Sequence, residues 1–186
     1  LLGRAGSSPG VSVSGYTFGG GIGWMARAAG LASGALRSVE YVDGSGQVRT
    51  ASDDAADADD REAIWSFRGA GGVGIATRFE LDLVPFADLH AGTLLWPVAA
   101  LSDVVAAWAD ALGDLGPSVA TSIGVLHVPP EGPFPDSLLG QVAVHLAIAD
   151  PDGPDGAAGL LTAVREAGEP VLDTWGTADA GRLAGI

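Results

Sequence analysis

Apolar and polar positions along the chain follow two periods. Residues 36–42 (LRSVEYV) alternate with period two and predict a strand. The next four, Asp43-Gly44-Ser45-Gly46, have turn chemistry, and residues 47–51 return as a second strand, so 36–51 reads as a hairpin. Upstream, residues 11–18 (VSVSGYTF) are rich in β-branched and aromatic positions and predict a strand or extended loop. Residues 24–29 predict a short helix stopped by Gly30. The acidic stretch 52–60 (SDDAADADD) is expected to be a loop feeding a helix over about 60–67, whose positive end its carboxylates suit. A long strand over 75–84 ends at Pro85.

The segment from Pro85 to Asp88 is the best boundary, which divides the chain into 1–86 and 87–186. Beyond it the pattern predicts a strand over 90–96 and an amphipathic helix over 99–112. Leu101, Val104, Val105, Trp108 and Leu112 share that helix's stripe. Strands follow over 119–128 and 141–149, separated by a proline-rich loop over 129–135. A helix over 157–167, capped by Asp155 and burying Leu160, Leu161 and Val164, precedes a last strand over 171–175. Mixed helices and mostly antiparallel strands give the fold class α+β, without internal repeats.

Composition removes several classes of function. With a formal net charge of −14, the chain lacks the basic surface needed for phosphate backbones, so neither nucleic acid nor an anionic membrane is an expected partner. All nine basic residues are Arg, which excludes a lysine Schiff base or P-loop lysine within the chain. Cysteine is absent, so thiolate catalysis, disulfides and Cys-ligated zinc are excluded too. No apolar run reaches the ~18 residues of a membrane span, and no signal peptide is visible, so the expected location is cytoplasmic. Because it starts at Leu1 and has Met25 as its only methionine, the chain is expected to be a fragment or processed product.

The candidate chemistry lies in two glycine runs. Gly21-Ile22-Gly23-Trp24-Met25-Ala26 fits the dinucleotide pattern G-x-G-x-x-A, with Glu40 near the place of a ribose-binding acid. Gly69-Ala70-Gly71-Gly72-Val73-Gly74 fits G-x-G-x-x-G. A Rossmann site needs a strand before each run and a full crossover helix after it. The second run precedes a strand, and the helix after the first is short. Glycine turns without a ligand are the other reading.

A third reading covers both runs. Residues 11–31 read Val11-Ser12-Val13-Ser14-Gly15-Tyr16-Thr17-Phe18-Gly19-Gly20-Gly21-Ile22-Gly23-Trp24-Met25-Ala26-Arg27, then Gly30-Leu31. Next come the hairpin block SVEYVDGSGQVRTAS, then Ile64-Trp65-Ser66-Phe67-Arg68-Gly69-Ala70-Gly71-Gly72, then Gly74-Ile75-Ala76-Thr77-Arg78-Phe79-Glu80. In order and spacing these blocks resemble the flavin domain of the FAD-linked oxidase superfamily (vanillyl-alcohol-oxidase or PCMH type), and within it the bacterial berberine-bridge-like oxidases. The resemblance implies that 1–86 is the second half of an FAD-binding domain and 87–186 part of a substrate-binding domain. It implies FAD as cofactor, held by Ser12, Ser14 and Gly15, by Gly19, Gly20, Gly21, Ile22 and Gly23, and by the backbone of Ile75. The implied reaction passes a hydride from a small organic substrate to flavin, with reoxidation by dioxygen. The catalytic residues of the family lie outside this stretch, and none is assigned. Ser33, Gly34 and Ala35 follow Gly30-Leu31-Ala32 where the family has Asp-Asn, and the second run is one residue short at Val73. The alternative is therefore a catalytically silent remnant or binding module on the same scaffold.

Remaining residues have plainer expectations. His90, His127 and His145 read as separate strand histidines, not a metal site, and the 53–60 carboxylates as a solvated loop, not a calcium loop. Trp65 and Trp108 are expected in the core. Tyr16 and Trp24 flank the first glycine run and are candidates to touch a ligand. Arg68 is expected to pair with a phosphate or a nearby carboxylate.

Overall fold

The computed structural model describes residues 1–86 and 88–186, which form two compact units, Leu1–Pro85 and Phe86–Ile186. Both are α+β, and every pairing between named strands is antiparallel.

In the first unit, helix α1 (Val13–Phe18) and the single turn α2 (Ala26–Ala29) precede a three-stranded sheet of order β2-β1-β3. Its strands are β1 (Leu36–Asp43), β2 (Val48–Ser52) and β3 (Gly74–Leu81), with helix α3 (Ala58–Phe67) between β2 and β3. The hairpin forms as its period-two pattern requires, with Val42 opposite Val48. Helix α3 starts at Asp57, whose carboxylate accepts from the Asp59 N–H at 2.8 Å. It buries Ala63, Ile64 and Phe67, the i, i+1, i+4 face that meets Leu36, Val39 and Tyr41. Trp65 falls off that stripe and is 71% exposed, which corrects the expectation of a core residue.

Residues 13–18 are a helix, not the expected strand. The alternation of Val11 and Val13 misleads because both are exposed, whereas Thr17 is buried and the Phe18 ring packs on Phe67 and Phe79 at centroid distances of 5.3 Å. A core contact made by adjacent positions suits a helical turn, and tertiary packing overrides the weak local β preference.

The second unit is a five-stranded sheet, β5-β6-β4-β7, with β8 also on β4. Its strands are β4 (His90–Pro97), β5 (Ala120–His127), β6 (Val142–Asp150), β7 (Leu172–Asp173) and β8 (Gly176–Thr177). Helices α4 (Leu101–Ala111) and α5 (Ala158–Ala167) cover one face, and a single turn, α6 (Ala180–Leu183), follows β8. The main core joins Leu94, Trp96, Val144 and Leu146 of the sheet to Val104 of α4 and Leu160, Leu161 and Val164 of α5. Trp108 packs against this core half-buried, while Leu112, placed on the same stripe by the sequence, is exposed. Asp155 does not cap α5: it opens a 3-10 turn, Asp155–Ala157, and Ala157 holds the cap position. The expected strand over 171–175 is shortened to β7, and β8 follows separately beyond it. The Asp173 carboxylate accepts from the Trp175 N–H at 3.0 Å and bends the chain between β7 and β8. Among the described residues no helix is long and apolar enough to cross a membrane.

Candidate functional site

The first glycine run is the exit of α1. The Gly19 N–H donates to Gly15 O at 3.1 Å and the Gly20 N–H to Thr17 O at 3.2 Å, so these two amides close the helix. A 3-10 turn, Ala32–Ala35, then braces the loop from behind. The Ala32 N–H donates to Gly21 O at 3.0 Å and the Ser33 N–H to Gly20 O at 2.9 Å. On the loop braced in this way, Gly21, Ile22 and Gly23 keep three successive N–H groups that find no acceptor among the described residues. Three successive free amides on a braced loop form a surface suited to an anion. Of the residues 19–23 that the resemblance implies as FAD contacts, 19 and 20 spend their amides on the helix end.

The second run meets the first. A Cβ built on Gly69 would stand 3.8 Å from Gly20 Cα, and both residues have positive φ, +117° and +107°. That contact is open to glycine on both sides, and an L side chain at either position would be strained. The sequence separation of the two runs gave no sign of it. Ile75 enters separately, on the outer strand β3, opposite Val42, with its side chain 74% exposed. The outer edge of β3 has no strand partner among the described residues. Ser12 and Ser14 lie at the start of α1 with exposed hydroxyls 2.9 Å apart. Ile22 projects from the loop, 78% exposed.

The glycines fall into two groups. At Gly21 a Cβ would stand 2.6 Å from Ala32 Cβ, at Gly23 2.1 Å from Ala5 O, at Gly72 2.3 Å from Phe67 Cε1, and at Gly74 2.3 Å from Val42 O. The protein's own atoms explain these four. At Gly15, Gly20 and Gly71 a Cβ would meet nothing within 4 Å, so internal packing does not require their bareness. Sequence reasoning could not separate the groups, because the colliding atoms come from distant positions.

Tyr16 supplies the floor. Its ring lies under Gly6 and Gly21, its hydroxyl faces Gly23, and burial raises its phenol above the usual value. Trp24 is buried, and its indole N–H has no partner among the described residues. Arg68 takes the carboxylate. Its Nη1 and Nη2 donate to Asp53 Oδ1 and Oδ2 at 2.9 and 2.7 Å, and Nη2 also donates to Leu36 O at 2.7 Å. The second run is thereby tied to β1 and to the turn after β2. The acidic loop is not merely solvated, since Asp57 and Asp60 also pair with Arg49.

The Arg68 guanidinium holds the Asp53 carboxyl below its ordinary range. Its contribution to stability is therefore present above the unfolded value near 4 and lost as pH falls through the folded one. Asp53 is 64% exposed, so solvent discounts the ion pair. Arg68→Ala should cost about 1–2 kcal/mol at neutral pH. Urea unfolding should show that difference narrow on acidification, with the part owed to the Leu36 carbonyl remaining.

The histidines stay apart. His90 pairs with Asp88 and stands by Trp175, His127 ends β5 and His145 lies within β6. Among the described residues no group of three His, Asp or Glu side chains could hold a metal. The antiparallel surroundings of β1 also remove the Rossmann reading, which needs a parallel crossover around Gly21.

No protein-family profile matches the chain. An FAD-linked oxidoreductase of Dictyostelium discoideum is 35% identical over 88 residues, which is 47% of this chain and 19% of that protein, so the chain spans about a fifth of that relative's length. Among solved structures, 6-hydroxy-D-nicotine oxidase from Arthrobacter nicotinovorans superposes with TM-score 0.76 at 24% identity, over 98% of this chain and 38% of that one. The BBE-like 1 protein of Physcomitrella patens gives TM-score 0.74 at 19% identity, over 99% and 37% of the two chains. The chain is thus similar in sequence to part of an FAD-linked oxidoreductase, and it shares its fold with the corresponding parts of these two solved structures.

Proposed function

We propose that the protein carrying this chain is an FAD-dependent oxidoreductase acting on a small organic molecule. In this reading Leu1–Pro85 is the second half of its flavin-binding domain and Phe86–Ile186 part of its substrate domain. The observation that carries the reading is the meeting of two glycine runs at Gly20 and Gly69, beside three unspent amides and bare positions that packing does not need. Those positions fit an extended dinucleotide, because backbone without Cβ admits a flat ring or a pyrophosphate at close range. The amides of Gly21, Ile22 and Gly23 would hold phosphate oxygens, Ser12 and Ser14 would offer hydroxyls, and Ile75 would offer backbone from the free edge of β3. Bound FAD supplies the hydride acceptor, and dioxygen, reduced to hydrogen peroxide, would restore it.

Gly15→Ala tests the assignment. Gly15 lies within α1, with open space where the methyl would go, so the substitution should leave stability unchanged or raise it by about 0.5–1 kcal/mol. Flavin affinity of the complete protein should fall at least tenfold, read by the flavin absorbance bands on reconstitution with FAD. A native complete protein that shows no flavin bands and takes up no FAD would sink the proposal. Flavin uptake without substrate-dependent peroxide would leave a silent scaffold in place of an oxidase.

A further inference from the structure

We propose that a basic segment of the same polypeptide, outside these 186 residues, covers the groove beside Trp65 and sets a guanidinium or ammonium between the Trp65 indole and the carboxylates of Asp59 and Glu62. The groove lies wholly within the first unit, between α3 and the end of the β1–β2 hairpin, and holds about 410 Å³. Helix α3 turns Ala63, Ile64 and Phe67 to the sheet. Asp59, Glu62 and Ser66, three and four residues apart, line the groove from the helix side. Asp43 and Arg49 line it from the hairpin, and Val73 from the second glycine run. Trp65 adds an indole that is 71% exposed, while the other four tryptophans are buried or half-buried. A large aromatic face left to water beside exposed Val73 marks a contact surface.

Charge decides what the cover must carry. Arg49 is the one basic residue lining the groove among the described residues, and Asp57 and Asp60 take it at 3.1 and 2.8 Å. Asp43 accepts from neutral donors of its own turn, Ser45 and Gln47. The carboxylates of Asp59 and Glu62 meet no cation among the described residues. The groove therefore sets unpaired negative charge beside an exposed indole. One cation satisfies both, through the π face and through charge-assisted hydrogen bonds. A second copy would bring the same acids in a chain of net charge −14, so like charge disfavours it. The same polypeptide is the favoured source on two grounds. More than half of each superposed relative lies outside the part that this chain matches. A segment tethered in the same molecule also avoids most of the cost of bimolecular association, so a groove of this modest size suffices. The cover needs no flavin, and the inference stands apart from the oxidoreductase reading.

Hydroxyl-radical footprinting of the complete protein is the test. Cleavage after Arg61 and Arg68 frees residues 62–68, a peptide with Trp65 as its one tryptophan. Oxidation of Trp65, read on that peptide by mass spectrometry, should run at least tenfold slower in the native protein than in the free synthetic peptide. Glu62→Arg should raise the native rate at least fivefold. If Glu62→Arg fails to fold, Asp59→Asn and Glu62→Gln decide, each raising the rate at least twofold. A native rate near that of the free peptide would mean that nothing covers the indole. Protection lost on dilution would mean that a second copy covers it, and protection lost on removing flavin that the cofactor does. Protection untouched by the charge variants would mean a cover without a cation. Each of these four results overturns the proposal. A complete protein that takes up no FAD yet shields Trp65 upholds it while the flavin reading fails, so the two are told apart.

Discussion

Gly23→Ala is expected to lower the unfolding free energy of the protein by about 3 kcal/mol, the upper end of overpacking costs. The added methyl would stand 2.1 Å from the Ala5 carbonyl oxygen and 2.7 Å from the Tyr16 hydroxyl. Tyr16 can swing aside, but Ala5 is main chain, held next to the bridge that pairs Leu2 with Val84. Relief therefore means lifting residues 3–6 off the loop or moving the loop off its 3-10 brace. Either route opens the first unit, and limited proteolysis should cut near residues 3–10 at a rate well above wild type. If Gly23→Ala melts with the wild-type midpoint, the glycine is not there for packing, and the separation of the two glycine groups fails. The contrast with Gly15→Ala is the useful part, because the same one-carbon change is made eight residues away and should strike stability in one case and the cofactor in the other.

Trp96→Ala should be the most damaging single change in the second unit, at about 4 kcal/mol. The indole is fully buried among Leu94, Val144 and the faces of α4 and α5, and its N–H donates to Gly168 O at 2.7 Å. Truncation leaves a cavity and also strips the Gly168 carbonyl, where α5 ends, of the indole donor. Trp96→Phe separates these terms: ring volume is largely restored, so the loss should fall to about 2 kcal/mol, mostly the missing hydrogen bond and residual void. Chemical denaturation followed by far-ultraviolet circular dichroism measures both. Equal destabilisation by Ala and Phe would mean that the hydrogen bond, not the packing, dominates.

The comparison between sequence and structure turns on how local each signal was. The hairpin at 36–51 and the buried stripe of Leu160, Leu161 and Val164 were legible because period and turn chemistry act within a few residues. Residues 11–18 were misread because a strand-like composition lay on a segment whose two valines face solvent, and the deciding contacts of Phe18 come from Phe67 and Phe79. Trp65 was misread for a related reason: an apolar side chain one step off the buried stripe of α3 looks the same in sequence as one on it. At the candidate site, the two glycine runs stood out at once. Their meeting at Gly20 and Gly69, the floor made by Tyr16 and the occupation of the Gly19 and Gly20 amides depend on contacts across long stretches of chain, which no local pattern encodes.

The partition of the glycines has an evolutionary corollary. At positions 21, 23, 72 and 74 packing by itself calls for glycine, so a chain that keeps this scaffold is expected to keep them. Positions 15, 20 and 71 answer only to backbone shape and to whatever lies against them, and at 15 even shape makes no demand. Under the proposed function, a lineage that abandoned its nucleotide is expected to drift first at 15, before its fold betrayed the change.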